Sequence, residues 1–114
     1  MVRVLVADDH EPFLAAARAV VRAAAGFELV ALARSGEEAI ALAESTSPDL
    51  VVLDVHMPGV DGVEAARRIL GRRPATIALL VSASELPEAA RAVGLTSRKE
   101  HFGPGLLRLV WERR

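Results

Sequence analysis

Five polar residues stand where apolar runs end. Asp8 and Asp9 follow Val2–Ala7, Asp54 follows Leu50–Leu53, Ser82 follows Thr76–Val81, and Lys99 closes the weaker stretch Leu95-Thr-Ser-Arg-Lys99. If these runs are strands of one parallel sheet, ligands bind at their carboxyl ends, where the connections reverse direction. The three carboxylates, the hydroxyl and the amine then converge on one edge. Neighbouring carboxylates repel and raise each other's pKa unless a cation sits among them. A hard, oxygen-seeking ion such as Mg²⁺ relieves that repulsion while keeping several waters. A lysine in the same pocket supplies positive charge to a phosphoryl oxygen, and a serine hydroxyl supplies a hydrogen bond. This set suits phosphoryl transfer to a carboxylate nucleophile. Asp54 is the natural acceptor, because it is central and is followed by His56-Met-Pro-Gly59, where Pro58 and Gly59 fix a turn.

The elements that must position these groups alternate along the chain. Val2–Ala7 is a short β-rich run. Pro12–Ala25 carries apolar residues at helical spacing (Phe13, Leu14, Ala17, Val20, Val21), with Pro12 in the first turn and Gly26 at the stop. Phe27–Ala33 reads as a strand, and Ser35 with Glu38 three residues later opens a helix ending near Ser45. The continuous Leu50–Leu53 suits a strand covered on both faces. Asp61 caps a helix over Gly62–Leu70, with Gly71 just past its end. Thr76–Val81 is a fourth strand. After Ser82 the pattern weakens: about two helical turns over Leu86–Val93, a polar fifth strand over Leu95–Lys99, and a final helix over Leu106–Trp111. The series predicts an α/β fold with a parallel sheet and right-handed crossovers.

Composition narrows the function classes. The chain has 114 residues, 52% hydrophobic and 25% charged, which suits one globular domain and argues against disorder. Fourteen basic against fifteen acidic residues leave a net charge of −1, so no general attraction to nucleic acid or anionic lipid is expected. The absence of cysteine removes disulfides, thiol nucleophiles and zinc-finger sites. No apolar run approaches the roughly 20 residues of a membrane span, and the N-terminus enters a strand without a charged leader. The expectation is a cytoplasmic single domain over residues 1–114 that neither enters a membrane nor binds nucleic acid directly.

At this point Val4-Leu-Val-Ala-Asp-Asp-His10, Leu53-Asp-Val-His-Met-Pro-Gly-Val-Asp-Gly62, Val81-Ser-Ala83 and Lys99 resemble the receiver domain of bacterial two-component response regulators. The Ala7-Asp-Asp-His10 opening is most similar to receivers that precede a helix-turn-helix output domain. The resemblance implies a flavodoxin-like, doubly wound sheet of five parallel strands in the order 2-1-3-4-5 with flanking helices. It implies that Asp54 takes a phosphoryl group from a histidine kinase or a small phosphodonor. Asp8, Asp9, the Asp54 carboxylate and the main-chain carbonyl of His56 would hold Mg²⁺. Ser82 stands where the family has its switch Thr or Ser, and Lys99 where it has its lysine. The fourth helix, fifth strand and fifth helix would carry the signal to an output domain or protein partner, often through a homodimer.

This sequence departs from that pattern in its last third. Seventeen positions separate Ser82 from Lys99, roughly one to one and a half helical turns fewer than usual, so a truncated fourth helix is expected. Thr96 replaces the aromatic switch residue three places before the lysine. Plainer readings stand beside each candidate. Asp8 and Asp9 could cap the first helix, Ser82 could cap the next, and Lys99 could lie on a solvated surface. The His56 side chain either shapes access to Asp54 or is a spectator, and His10 is read as a loop residue. Two other functions are open: a phosphorylation-independent interaction module on the receiver fold, and a small Mg²⁺-dependent phosphatase with an aspartate nucleophile. The latter lacks the Asp-x-Asp expected after a first strand and any cap domain.

Overall fold

The computed structural model describes residues 1–81, together with the backbone of residues 95–103 and 106–113. Strand β1 (Val2–Ala7) leads into helix α1 (Glu11–Ala23), whose first turn holds Pro12, where a missing backbone N–H costs nothing. Strand β2 (Phe27–Ala33), helix α2 (Gly36–Thr46), strand β3 (Leu50–Asp54), helix α3 (Gly62–Arg72) and strand β4 (Ile77–Val81) continue the alternation. The helix starts follow their caps. Ser35 accepts a hydrogen bond from the Glu38 backbone N–H at 3.1 Å, and Asp61 accepts one from Glu64 at 2.8 Å.

Strand β1 pairs in parallel with both β2 and β3, and β3 pairs in parallel with β4. Alternation along β1 divides the core between the two faces of the sheet. Leu5 and Ala7 pack with Leu53, Ala39, Ala65 and Ile69 on the side of α2 and α3, whereas Val4 and Val6 pack with Leu14 of α1. Strands covered on both faces must be apolar nearly throughout, which explains the continuous runs at β1 and β3. Among the described residues no helix is long and apolar enough to cross a membrane.

Beyond β4 the structure differs from the sequence expectation. Leu106–Trp111, expected as a final helix, lies within strand β6 (Leu106–Arg113), parallel to β4 with Val81 opposite Leu109. Strand β5 (Leu95–Gly103) covers the expected fifth strand, but it lies outside β6 and runs antiparallel to it. Among the described residues, six strands form one sheet in the order β2-β1-β3-β4-β6-β5. The doubly wound α/β class and the order 2-1-3-4 hold. The five-stranded, all-parallel expectation is corrected: Leu106–Arg113 fills the fifth parallel place, and Leu95–Gly103 adds an antiparallel edge.

The reason lies in composition. The place beside β4 is flanked by strands on both sides and favours an apolar run such as Leu106-Leu-Arg-Leu-Val-Trp111, while Thr96-Ser-Arg-Lys-Glu-His101 suits a polar edge. An apolar stretch this short cannot be assigned to helix or strand by periodicity alone. The intervening Gly103-Pro-Gly105 was the overlooked signal, since such triplets punctuate hairpins. The expected short fourth helix, Leu86–Val93, lies outside the described residues.

Candidate functional site

Ala7 and Leu53 are partners across β1 and β3, so the residues after them meet at one edge of the sheet. One carboxylate oxygen each from Asp8, Asp9 and Asp54, with one ring nitrogen of His10, lie within 4.8 Å of one another. Asp54 and Asp8 are buried, at 1% and 4% exposure, and Asp9 sits at the rim. The Asp8 backbone is tied to β2 through a bond from its N–H to the Ala33 carbonyl at 3.0 Å.

Asp54 is the deepest of the group. Its Oδ1 accepts the backbone N–H of His56 at 3.2 Å, while its buried Oδ2 has no hydrogen-bond partner among the described residues. Burial pushes its carboxyl up to about 6; the His56 N–H opposes that rise, and the Asp8 and Asp9 charges add to it. Burial also raises Asp8, against hydrogen bonds from the His10 backbone and ring. His10 Nδ1 lies 3.2 Å from Asp8 Oδ1 and 3.2 Å from Asp9 Oδ1. Its hydrogen bond to Asp8, then the Asp9 charge, lifts the imidazole above its ordinary value.

The loop after Asp54 is clamped between two helices. Val60 donates its backbone N–H to Glu37 Oε1 of α2 at 2.7 Å. Gly59 has φ +76°, the left-handed region that glycine enters without strain. A Cβ at Gly62 would collide with the Asp54 carbonyl and stand 3.0 Å from Val55 Cα, so only glycine lets α3 begin there. Met57 is buried in the core beneath the loop.

Of the residues singled out in the sequence, Asp8, Asp9 and Asp54 are brought together, and His56 contributes its N–H to Asp54. The position before α1 is His10, which makes no side-chain cap bond, so Asp8 and Asp9 are not capping α1. Ser82 lies outside the described residues. Lys99 is in the middle of β5, in a row that runs Asp54, Val81, Leu109, Lys99 across the sheet. Three strand spacings separate the ends of that row, roughly 14 Å. Sequence reading missed His10 in the pocket; the signal was its place directly after the acidic pair at a strand end.

The donor set fits a divalent cation. Ligand atoms opposite one another on an ion such as Mg²⁺ are about 4.2 Å apart, close to the spread already present. The unpartnered Asp54 Oδ2 is a buried acceptor that would otherwise lack compensation.

Residues 4–97 match the response regulator receiver domain. Over 94 residues the chain is 43% identical to the transcriptional regulatory protein PdtaR of Mycobacterium tuberculosis (strain H37Rv), covering 81% of this chain and 45% of that protein. It is 40% identical over 94 residues to protein-glutamate methylesterase/protein-glutamine glutaminase 2 of Anaeromyxobacter dehalogenans (strain 2CP-C), covering 82% of this chain and 28% of that one. The chain thus matches less than half the length of either curated relative. Among solved structures, the signal receiver domain of the response regulator NarL of Mycobacterium tuberculosis aligns with a TM-score of 0.69 at 32% identity, over 79% of this chain and 73% of that one.

Proposed function

Because this chain belongs to the response regulator receiver domains, we propose that Asp54 accepts a phosphoryl group from a histidine kinase and passes the signal on as a change in shape. The observation that carries this reading is the buried, unpartnered Asp54 Oδ2 beside Asp8 and Asp9. A carboxyl lifted to about 6 is still mostly ionised at neutral pH and more basic than an exposed aspartate, so it is a better nucleophile. A carboxylate oxygen of Asp54 attacks phosphorus, an acyl phosphate forms, and the bond from phosphorus to the donor breaks with its electron pair leaving on the donor. The His56 N–H on Oδ1 fixes the carboxylate plane.

Asp8, Asp9 and Asp54, with the main-chain carbonyl of His56, would hold Mg²⁺, which when bound neutralises the crowded negative charge around the transferring group. Ser82 and Lys99 are the proposed hydroxyl and ammonium partners of the phosphoryl oxygens. Their differential contacts with the two states would shift a conformational population. The downstream reader is an output domain, a protein partner or a second copy. Residues 1–114 act as one receiver domain, working in the cytoplasm as a signalling element rather than as an enzyme with a turnover substrate.

Incubation with acetyl phosphate and Mg²⁺ tests the reading by mass spectrometry. A gain of about 80 Da is expected for one phosphoryl group, dependent on Mg²⁺ and absent in Asp54→Asn. No gain in the wild type sinks it. One observation favours a second reading, a phosphorylation-independent interaction module: β6 stands between β4 and the strand of Lys99. That module predicts the same partner affinity for wild type and Asp54→Asn, and no effect of Lys99→Ala on phosphorylation. The receiver reading predicts that Lys99→Ala lowers the yield of phosphoprotein by about tenfold or more.

A further inference from the structure

We propose that His10 is a metal ligand of the acidic pocket, so that its nitrogen raises this receiver's preference for a first-row ion such as Mn²⁺ over Mg²⁺. The inference rests on the cation site proposed above and adds to it a donor of a different chemical kind. His10 Nδ1 stands 3.2 Å from one oxygen of Asp8 and 3.2 Å from one of Asp9. Adjacent ligand atoms on an octahedral ion with bonds of about 2.1 Å are about 3.0 Å apart. The ring nitrogen therefore already occupies the spacing of a neighbouring ligand toward both carboxylates. Its position is fixed from the backbone, because the His10 N–H donates to Asp8 Oδ1 at 2.8 Å and α1 begins at the next residue.

The independent sign that this pocket takes a ligand is Asp54 Oδ2, which is buried and, among the described residues, unpartnered, on a carboxyl that belongs to the same group. A neutral imidazole can coordinate through Nδ1 with its proton on Nε2, and the ring is 61% exposed, so that outer N–H is free to meet water. Imidazole binds first-row ions better than it binds Mg²⁺, which favours oxygen donors; along that series the affinity of a mixed N/O site is lowest for Mn²⁺ and rises toward Cu²⁺. Three carboxylates and one imidazole thus make a set in which nitrogen sets the ion preference.

The test uses the whole chain at pH 8 with Mn²⁺ or Mg²⁺ alone. Calorimetry gives the affinity of each ion for wild type, His10→Gln, His10→Ala and Asp54→Asn. Pulsed electron paramagnetic resonance of the Mn²⁺-loaded protein reads coupling to a ring nitrogen. Expected results are a nitrogen coupling in wild type that both His10 variants lose, with His56 intact in each. The ratio of Mn²⁺ to Mg²⁺ affinity should also fall about tenfold in both. If Asp54→Asn weakens both ions but wild type shows no ring-nitrogen coupling, or the ratio is unchanged in the His10 variants, His10 is not a ligand and the oxygen site stands. If Asp54→Asn leaves metal binding unaltered, the site proposed for the phosphoacceptor fails, and the His10 inference fails with it.

Discussion

Asp54 is a carboxylate kept where a carboxylate is least stable, and that choice has a measurable cost. Its carboxyl titrates near 6 in the fold against an ordinary value of 3.8, so between those values the folded chain holds the extra proton. Stability therefore falls as pH rises through that window, by about 3 kcal/mol once the group is ionised. In chelator, Asp54→Asn should raise the melting temperature at pH 7.5 by several degrees, and the gain should vanish below about pH 4. Thermal unfolding followed across pH checks both halves. Added Mg²⁺ should raise the melting temperature of the wild type, by binding only the folded chain, and leave Asp54→Asn much less affected. The three carboxylates were legible in the sequence because each stands at the end of an apolar run. The place of His10 was not, since its ring reaches the pocket only through the turn into α1.

Elements hold the acceptor loop more than its own sequence does. Glu37, on the first turn of α2, takes the Val60 N–H, and Gly62 lets the start of α3 touch the backbone of Asp54 and Val55. Gly62→Ala forces a methyl into a carbonyl, so it should destabilise the fold by about 1–3 kcal/mol and displace the loop. Urea unfolding measures the first effect, and the phosphorylation yield with acetyl phosphate measures the second. Glu37→Ala, at an exposed side chain, should leave stability within about 1 kcal/mol while lowering that yield, because the Val60 N–H still finds water. An unchanged yield would mean that the loop is held by other contacts. Caps and apolar periodicity placed α2 and α3 in the sequence. The packing of Gly36 against the Val60 carbonyl and of Gly62 against the Asp54 carbonyl could not be read there, because it depends on how closely helix and loop approach.

For the molecule as a whole, the decisive event is the insertion of β6 between β4 and β5. This moves Lys99 one strand further from Asp54 than the fifth parallel place would, and it replaces an expected helix with sheet. Amide hydrogen exchange reads the arrangement directly. Amides of Leu107–Leu109 should exchange as slowly as those of Leu79–Val81, with which they share a ladder, and part of the β5 row should exchange faster at the open edge. Rapid exchange across Leu107–Leu109 would show that the place beside β4 is not held by β6.

From residue order alone came the alternating elements through β4, the two-sided core and the three acidic groups. All of these rest on local pattern: caps, apolar runs and the polar residues at their ends. Tertiary structure alone decided which late segment lies against β4, and that His10 joins the carboxylates. Strand neighbours are chosen by competition among segments for a buried place, and a pocket by distances across the chain. Neither quantity is written in the spacing of residues along it.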